Sequence, residues 1–581
     1  MVLLKGKKSG PYSLIILIAI ALASNLLYGF SWTDEGLYLS NASRLIAGER
    51  LVIDDWTPTQ FYEPLLCPVY YLYLKLNGSA EGIFLFFRIA TLLFQFFVSI
   101  FTYSILSKKC NKSTACCAAL IPLIFSRACI NGPSYYTICY ETFILGLLFL
   151  YVFFELSNNK AFLFLSGISF ACAVLCNPFL VIPYVATSAL CLALRNTRKR
   201  VKQIALVWAG TILIAVIYIY FVFMGNSLSD IIKGFHFTYN DPSYKHTAIL
   251  TLKRLYKMPR LLLFPYTLTF LPIIAAWAFI SVKKISLNSK TKRFLYLLNV
   301  LLFFSNCLLQ KDCGSAALSF FHFTFFTCLI LSDFKIKQVL EQNKKELIYF
   351  VVPGLILAYF FCFASDTGFG VCSIGMAVSC IGEIIIHQKN TKTLSKTLIF
   401  VPMAILIGTT YFYRVNLIYR DNQLRPHVIF MPKFHKNIAR IERGPAKGIY
   451  TAIERRPHYD SLYDLINSLA RDSQKKTILI SGVATWAYMA SPNVFPASPT
   501  TWRIFCNDSR LKTYFEEFPK RAFPNYVLLL NSQNPDNGGK YSEKNNADNI
   551  KDTWLINTME KAGFQRIMTN NGLLYKQTEE N

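Results

Sequence analysis

The sequence predicts a polytopic α-helical membrane protein of about 13 transmembrane helices that ends in a small α/β domain. Three observations support this fold class. Hydrophobic residues make up 53% and aromatic residues 15% of the chain, and the mean hydropathy of +0.36 exceeds that of soluble domains. Long apolar runs alternate with short basic loops. The composition becomes that of an ordinary soluble protein after about residue 413.

The first predicted span covers residues 11–30, which are almost wholly apolar. A bilayer takes about 20 such residues, and Lys5, Lys7 and Lys8 before the run predict a cytoplasmic N-terminus. The other predicted spans are 81–106, 113–125, 141–154, two spans divided by Asn177-Pro178, 204–224, 261–282, two spans joined near Lys311-Asp312, two spans joined by 365–368, and 398–413.

An odd number of spans that starts inside places the C-terminus outside. The strongly basic loops around 195–202, 283–293 and 335–345 then all fall on the cytoplasmic side, as the positive-inside rule requires. We therefore predict a transmembrane domain over 1–413 and an extracytoplasmic domain over 414–581. The outer loops of the first domain are 31–80, 126–140 and 225–259.

Two segments of the first outer loop, 37–47 and 62–76, are amphipathic or aromatic and are predicted as helices lying in the membrane interface. In the distal domain, the apolar periodicity predicts a helix, two buried strands, a polar loop, a second helix and a terminal hairpin. These elements are expected at 459–470, 477–483, 526–530, 531–549, 552–562 and 563–576.

The net charge is +27, which in a soluble protein would suggest a nucleic-acid partner. Much of this excess falls in the short loops, so the positive-inside bias explains it, and no aromatic-interleaved basic patch indicates nucleic-acid binding. Many of the 16 cysteines lie inside apolar runs. Because none forms a CxxC pair with zinc-like spacing, we interpret them as small core residues.

Adjacent carboxylates, Asp34 and Glu35, follow the first span directly. Acids at the exit of a membrane helix are costly near lipid, so they predict a site that takes a proton or binds a cation. A carboxylate can act as general base on a hydroxyl or hold a divalent cation that neutralises a phosphate. A solvated turn is the structural alternative.

Three further residues carry charge where the sequence is otherwise apolar. Glu63 lies in an aromatic segment beside Tyr62, and a buried acid there needs a cation, a metal or a proton. Glu141 lies at the outer end of the fourth span, where the helix dipole alone could explain it. Arg88, early in the second span, must snorkel or pair with a lipid phosphate or one of these acids.

The outer loop 225–259 and the residues just after it are basic and contain histidine, against the positive-inside trend. This composition suits an anionic ligand such as a phosphate or pyrophosphate, and contact with anionic lipid headgroups is the alternative. The candidate residues are His236, Tyr239, Lys253, Arg254 and Arg260.

At these positions the chain resembles the GT-C glycosyltransferases, membrane enzymes that use polyprenyl-phosphate sugars. This family places an Asp or an acidic pair after the first span, as at Asp34 and Glu35. Its aminoarabinose transferases carry Tyr-Phe-Glu-Lys-Pro-Pro-Leu, of which 61–65 looks like a shortened form lacking the Lys and one Pro. Arg88 and Glu141 match an early Arg in the second span and an acid near the second outer loop.

The resemblance implies an inverting transfer at the outer face of a bacterial plasma or inner membrane. The donor would be a polyprenyl-phosphate-linked sugar, and the acceptor a lipid, glycan or protein. Asp34 would deprotonate the acceptor hydroxyl, while Arg88 and the basic set at 253–260 would stabilise the leaving phosphate. Aromatics near Tyr62 and Tyr135 would stack on the sugar. Some relatives use a divalent metal and others do not, so the resemblance leaves the metal open.

Other functions remain open at this stage. A polytopic transporter or lipid flippase would place its ionisable groups near the bilayer midplane, whereas the prominent acids here cluster at one face. A polysaccharide polymerase or ligase that uses lipid pyrophosphate donors would keep the same fold. A scaffold without activity is the third alternative, although the intact Asp34 and Glu35 argue against it.

Overall fold

The computed structural model describes residues 10–578 except 33, 128–129, 194–199, 224, 240–251, 254, 257–265, 284–286, 310–312, 365–371, 392–395, 422–437, 454, 471–474, 504–505, 519–522 and 531–551. Most of the first 421 residues are helical. The helices of this part are α1 Gly10–Asn25, α2 Asp34–Ile46, α3 Glu63–Asn77, α4 Ile83–Leu106, α5 Lys112–Ile124, α6 Tyr135–Val152, α7 Ala161–Cys176, α8 Val181–Ala193, α9 Arg200–Phe223, α10 Leu228–Tyr239, α11 Leu271–Lys283, α12 Ser289–Leu309, α13 Cys313–Leu331, α14 Ile336–Gln342, α15 Val352–Ala364, α16 Ser373–Asn390 and α17 Lys396–Asp421.

Each predicted span corresponds to one of these helices, but the number of helices long enough to cross a membrane is smaller than predicted. Within the described residues, six helices are long and apolar enough, or seven if the pair Ala316–Leu331 and Ile336–Gln342, bent by 110°, counts as one span. Shorter apolar helices such as α5 have 13 residues and reach about 20 Å, less than the hydrocarbon thickness of about 30 Å. The count of thirteen spans is therefore not confirmed, although the protein is a multi-pass membrane protein.

Close helix contacts hold the membrane region together where small residues face each other. A Cβ added to Gly167 of α7 would lie 1.9 Å from the Val207 carbonyl oxygen of α9, and one added to Gly210 would lie 2.2 Å from the Phe164 carbonyl oxygen. Larger side chains would push the two helices apart, which is why small residues favour tight packing in membrane proteins.

The two helices predicted in the first loop are present, but they differ in their surroundings. On α3, Tyr71, Leu72 and Leu76 are exposed and form an apolar face, as expected for a helix at a membrane surface. In contrast, α2 is buried along most of its length. The prediction that α2 lies in the membrane interface is therefore wrong, because this helix is covered by the distal part of the chain.

The distal part is an α/β domain built on a mixed five-stranded sheet. The predicted helices, strands and hairpin are confirmed, and the predicted loop 531–549 lies outside the described residues. The domain boundary predicted at 413 falls inside α17, which continues to Asp421. The sheet has the order β4-β3-β5-β7-β6. The elements are β1 Ile438–Arg440, β2 Tyr450–Ala452, α18 Arg456–Leu469, β3 Lys476–Ser481, β4 Val494–Pro496, α19 Asp508–Glu517, β5 Tyr526–Leu530, α20 Thr553–Lys561, β6 Gln565–Thr569 and β7 Gly572–Lys576.

This domain packs directly on α2. A Cβ added to Gly36 would lie 2.2 Å from Oγ1 of Thr485 and 2.9 Å from the backbone nitrogen of Trp486, so this position has no room for a larger residue. The Thr485 hydroxyl donates to the Trp32 carbonyl at 3.0 Å. The distal domain therefore contacts both the residues just before α2, at Trp32, and the first turn of α2, at Gly36.

Polar contacts continue along the same face of α2. Oγ of Ser40 donates to Oγ1 of Thr501 at 2.9 Å, and the Thr501 hydroxyl donates to Oδ1 of Asn41 at 2.9 Å. All three side chains are buried, and buried polar groups are stable only when they are hydrogen-bonded. This network determines the register in which α2 meets the distal domain.

Candidate active site

The acidic pair forms the first turn of α2, where the exposed amide ends of a helix favour negative charge. Successive residues of an α-helix point about 100° apart, so the two carboxylates face different surroundings. Glu35 is only 2% exposed, whereas Asp34 is partly exposed. Of the two predicted catalytic acids, Asp34 is the one accessible to a substrate.

Glu35 forms a bidentate ion pair with Arg88 of α4. Nε of Arg88 donates to Oε1 of Glu35 at 2.6 Å, and Nη2 donates to Oε2 at 2.7 Å. Both side chains are buried. The contact joins the start of α2 to a membrane helix.

The remaining donors of Arg88 bind the backbone between α1 and α2. Nη1 donates to the carbonyls of Leu26 at 2.6 Å and Tyr28 at 3.4 Å, and Nη2 donates to the carbonyl of Gly29 at 2.6 Å. All five N–H groups of the guanidinium therefore have acceptors within the protein. Of the two kinds of partner predicted for Arg88, the structure gives the acid, and the phosphate contact that the resemblance implies is left without a donor from Arg88.

Asp34 faces a second arginine that the sequence analysis did not single out. Burial raises the pKa of the Asp34 carboxyl, and the positive charge of Arg127 opposes that rise. The Arg127 guanidinium lies 4.0 Å from the centre of the Tyr136 ring, a distance typical of cation–π contact. Asp34 therefore combines partial burial with a nearby positive charge.

Four tyrosines, Tyr38, Tyr62, Tyr135 and Tyr136, pack against one another and form what we term the tyrosine cluster, in which the Asp34 charge acts on Tyr38 and Tyr62. The ring centre of Tyr38 lies 5.8 Å from those of both Tyr62 and Tyr135, and the Tyr135 and Tyr136 rings are 3.9 Å apart. Burial raises the pKa of both Tyr38 and Tyr62, with the Asp34 charge adding to the rise at Tyr38 and the Glu63 charge to that at Tyr62, so both phenols stay protonated at neutral pH.

A buried pair of acids lies next to the tyrosine cluster. The Asp55 and Glu63 carboxyls face each other, burial raises the pKa of both, and the Asp55 charge raises that of Glu63 further. Asn41 donates to Oε1 of Glu63 at 2.9 Å, and the Thr57 amide donates to Oδ1 of Asp55 at 2.7 Å. Two such groups share protons as a pair, so the predicted need of Glu63 for a partner is met within the protein.

An apolar groove of about 420 Å³ begins beside Glu63, between α2 and α3 on one side and α7 and α9 on the other. The Tyr218 hydroxyl is buried in its wall and has no hydrogen-bond partner within the described part of the chain. The groove is lined by Leu45, Ile46, Pro64, Leu65, Cys67, Pro68, Tyr71, Leu175, Ile214, Ile217, Tyr218 and Phe221.

Glu141 lies inside α6 rather than at its outer end, and it is fully buried. The groups that face its carboxylate include Gln95 and Arg414. Arg414 of α17 donates to Oε1 of Gln95 at 3.3 Å and to the Leu123 carbonyl at 2.8 Å. This polar group joins α4, α5, α6 and α17 and lies apart from the contacts described for Asp34.

The predicted basic outer set is only partly described. His236 and Tyr239 lie on α10, where the Tyr239 ring stacks on Phe61 at 6.1 Å and His236 contacts Phe237. Lys253 is exposed. Arg254 and Arg260 lie outside the described residues. The structure thus brings Tyr239 to the segment that precedes Tyr62.

A resident divalent metal would need several carboxylate or histidine ligands at one point. Within the described ranges, no three or more His, Cys, Asp or Glu side chains come together in a way that could hold an ion. In the Asp55–Glu63 pair, Oε1 of Glu63 accepts from Asn41 and Oδ1 of Asp55 accepts from the Thr57 amide. The described side chains therefore do not present a metal-binding donor set.

Sequence reasoning found Asp34, Glu35, Glu63, Arg88 and Glu141 but missed Arg127, Tyr38 and Asp55. The spacing along the chain could have identified Tyr38, because residues four apart share one face of a helix and α2 begins at Asp34. Arg127 carried a weaker signal as a single cation in a short outer loop. No feature of the sequence predicts the pairing of Asp55 with Glu63.

No protein-family model matches the chain, and no curated protein matches it. Among solved structures, ArnT from Cupriavidus metallidurans bound to undecaprenyl phosphate is similar over 99% of both chains, with 10% identity and a TM-score of 0.44. The archaeal oligosaccharyltransferase AglB from Archaeoglobus fulgidus, in complex with an inhibitory peptide and a dolichol-phosphate, is similar over 98% of this chain and 74% of its own, with 11% identity and a TM-score of 0.43.

A further structure of the Archaeoglobus fulgidus oligosaccharyltransferase, in complex with Zn and sulfate, is similar over 97% of this chain and 73% of its own, with 12% identity and a TM-score of 0.39. ArnT and AglB both have the GT-C fold, the fold of the family that the sequence resembles. At these identities and TM-scores the similarity concerns the layout of the chain, so the function proposed below rests on the residues of this protein.

Replacing Arg88 by Gln should destabilise the protein by about 3–5 kcal/mol, because it leaves the buried Glu35 carboxylate without its partner. The double variant Arg88→Gln with Glu35→Gln should recover part of this loss. Thermal unfolding of the detergent-solubilised protein measures both effects.

The matched control is Lys233→Gln, which breaks the exposed ion pair with Glu517 and should cost at most about 1 kcal/mol. Equal unfolding temperatures for Arg88→Gln and Lys233→Gln would show that the buried pair does not hold α2 in place.

Proposed function

We propose that this protein is an inverting glycosyltransferase that moves a sugar from a polyprenyl-phosphate donor to an acceptor hydroxyl at the outer face of the membrane. The observation that carries the proposal is the position of Asp34. It is a partly exposed carboxylate with a cation beside it, it faces a set of aromatic rings, and an apolar groove begins beside one of those rings.

In this proposal Asp34 acts as a general base. An acceptor hydroxyl is a weak nucleophile, and a carboxylate within hydrogen-bond reach takes its proton as the new bond forms. The acceptor oxygen bonds to the anomeric carbon, the bond from that carbon to the phosphate oxygen breaks, and polyprenyl phosphate leaves with the electron pair. Attack from the side opposite the phosphate inverts the anomeric centre.

The tyrosine cluster supplies the sugar-binding surface in this proposal. Aromatic rings offer apolar faces to the C–H groups of a sugar, and their hydroxyls offer hydrogen bonds. Tyr62 belongs to this surface. Its neighbour Glu63 accepts a hydrogen bond from Asn41 of α2, which ties the Tyr62 segment to that helix. We assign Glu35 and Arg88 a positioning role, because their ion pair holds the first turn of α2 while Asp34 remains accessible.

The groove accommodates the lipid part of the donor. Its lining is almost wholly apolar, and the neighbouring surface of α9 exposes Ile212, Leu213 and Val216, as expected for a helix in contact with lipid. An isoprenoid chain in the groove would gain about 25 cal/mol per Å² of apolar surface removed from water, and its phosphate end would emerge toward Tyr62.

The other predicted residues enter the proposal with less direct support. Glu141 would stabilise the helices behind the site through Gln95 and Arg414. His236, Tyr239, Lys253, Arg254 and Arg260 would approach the donor from the loop that follows α9. A divalent metal remains possible, and the metal, the sugar and the acceptor are left to experiment.

Asp34→Asn should lower kcat by about 10²- to 10⁴-fold, because an amide cannot accept the acceptor's proton. Thermal stability should remain close to that of the wild type, since Asp34 is not part of the Glu35–Arg88 pair. The assay follows radiolabelled sugar released or transferred from synthetic polyprenyl-phosphate donors by the purified protein.

The control variant is Asp464→Asn, an exposed acid of the distal domain, which should retain the wild-type rate.

Because burial raises the Asp34 pKa, the wild-type rate should fall on acidification at a pH above the ordinary Asp pKa of about 3.9. Wild-type turnover by Asp34→Asn would remove the general base from the proposal. Donor-independent lipid movement in liposomes without sugar transfer would instead indicate a flippase.

Ile214→Trp should raise KM for long-chain donors several-fold and affect short-chain donors much less, because the indole fills the groove that receives the chain. Leu213→Trp changes the neighbouring residue of α9, which is 44% exposed and does not line the groove. Equal KM values for the two variants across donor lengths would show that the chain lies elsewhere.

A further inference from the structure

The side chains of α10 divide into distinct faces around the helix. Successive residues of an α-helix point about 100° apart, so residues three or four positions apart share a face. One such face is apolar and exposed, and it consists of Leu228, Ile232, Phe235 and Tyr239. We term it the α10 apolar face.

The buried face of α10 packs on the loop that follows α2. A Cβ added to Gly234 would lie 2.3 Å from the Val52 carbonyl oxygen, so the two backbones are in direct contact. Ile231 lies in one small core with Val52 and with Val222, which is close to the end of α9. These contacts fix the rotation of α10 about its own axis, and therefore the direction in which its other faces point.

A further face of α10 is covered by the distal domain. The ring centres of Phe237 and Phe518 are 6.4 Å apart, and Nη2 of Arg510 donates to the Phe237 carbonyl at 2.7 Å. Nζ of Lys233 lies 3.2 Å from Oε2 of Glu517. The helix is therefore held between the loop and the distal domain, and the α10 apolar face lies outside both contacts.

The α10 apolar face would be costly to leave in water. Leu228 and Ile232 are each 61% exposed, and Phe235 and Tyr239 are each 37% exposed. Single apolar residues are common on soluble surfaces, but a contiguous apolar face indicates a contact surface. The exposed face beside it is polar and consists of Ser229, Lys233 and His236. This division is typical of a helix that lies in a membrane interface.

The level of α10 in the membrane follows from α9. The span Val201–Phe223 has 23 residues, and only 17% of its most apolar stretch is buried inside the protein. Its length of about 35 Å is enough to cross the hydrocarbon layer of about 30 Å. One end is marked by Arg200 and Lys202, so Phe223 reaches the opposite boundary. Because α10 begins at Leu228, it lies at that boundary, on the side that carries the distal domain.

The lipid-facing surface of α9 continues into the α10 apolar face. The ring of Phe61 lies 5.7 Å from that of Tyr218 on α9. The same ring lies 5.9 Å from Phe235 and 6.1 Å from Tyr239 on α10. These rings join the two helices into one apolar surface, and a bilayer that surrounds α9 therefore meets α10 as well.

We propose that the α10 apolar face lies in the membrane interface, where the acyl chains of the bilayer cover its four side chains. The partner is the lipid surface on the side of the distal domain. Recognition occurs by burial of apolar area, since the face itself carries no charge. The bilayer then anchors the loop that contacts Gly234 and the distal domain that contacts Phe237, and neither contact requires sugar transfer.

Photocrosslinking to lipid tests this position in the full-length protein. The photoreactive amino acid p-benzoylphenylalanine, which bonds to nearby C–H groups on illumination, replaces Ile232 in one variant and Leu228 in a second. Each variant is reconstituted into vesicles of phosphatidylcholine that carries tritium in its acyl chains. The label attached to the protein is counted after illumination and removal of free lipid.

The matched control carries the same amino acid in place of Lys233. This position is adjacent to Ile232 and its side chain is 48% exposed, but it points about 100° away around the helix, toward Glu517. The Ile232 and Leu228 variants should each carry several-fold more label than the Lys233 variant, because only the α10 apolar face meets the acyl chains.

Equal labelling at the three positions would overturn the proposal. A crosslinked dimer in place of the lipid adduct would also overturn it, because a second copy of the chain would then cover the face. Thermal unfolding in detergent identifies any variant that fails to fold, and either apolar position decides the question without the other. The readout involves no sugar donor, so failure of the proposed function would leave the expected result unchanged.

Discussion

The ion pair between Glu35 and Arg88 constrains the rest of the site. Both charges are buried, and removing charges from water is so costly that they persist only when each satisfies the other. The pair fixes the start of α2 against α4, and the donors left on Arg88 hold the backbone of residues 26–29. Asp34, one residue before Glu35, is thereby held at a defined position while it stays partly exposed.

A second constraint comes from the distal domain. It meets α2 through Gly36, where only a hydrogen fits against Thr485, and through the buried hydroxyls of Ser40 and Thr501. The acidic helix is therefore fixed between a membrane helix and an α/β domain, and both are needed to position one carboxylate.

The sequence was sufficient to predict the local structure. Apolar run length and periodicity located the helices, and the change of composition near 413 falls inside α17, ahead of the first strand at Ile438. The acidic pair was recognisable because two charges follow a membrane-length run. Long-range contacts were not predictable: Asn41 and Thr501 are 460 residues apart, and periodicity along the chain contains no information about such a pair. For the same reason the sequence left Arg88 either a lipid phosphate or one of the nearby acids as its partner, and the structure pairs it with Glu35.

The anomeric configuration of the product tests the central claim most directly. A donor of defined configuration at its anomeric carbon is supplied to the purified protein with an acceptor that it uses, and nuclear magnetic resonance determines the configuration of the new glycosidic bond. A single general base at Asp34 and direct attack by the acceptor predict inversion. Retention of configuration would require a covalent or double-displacement route and would contradict the role assigned to Asp34.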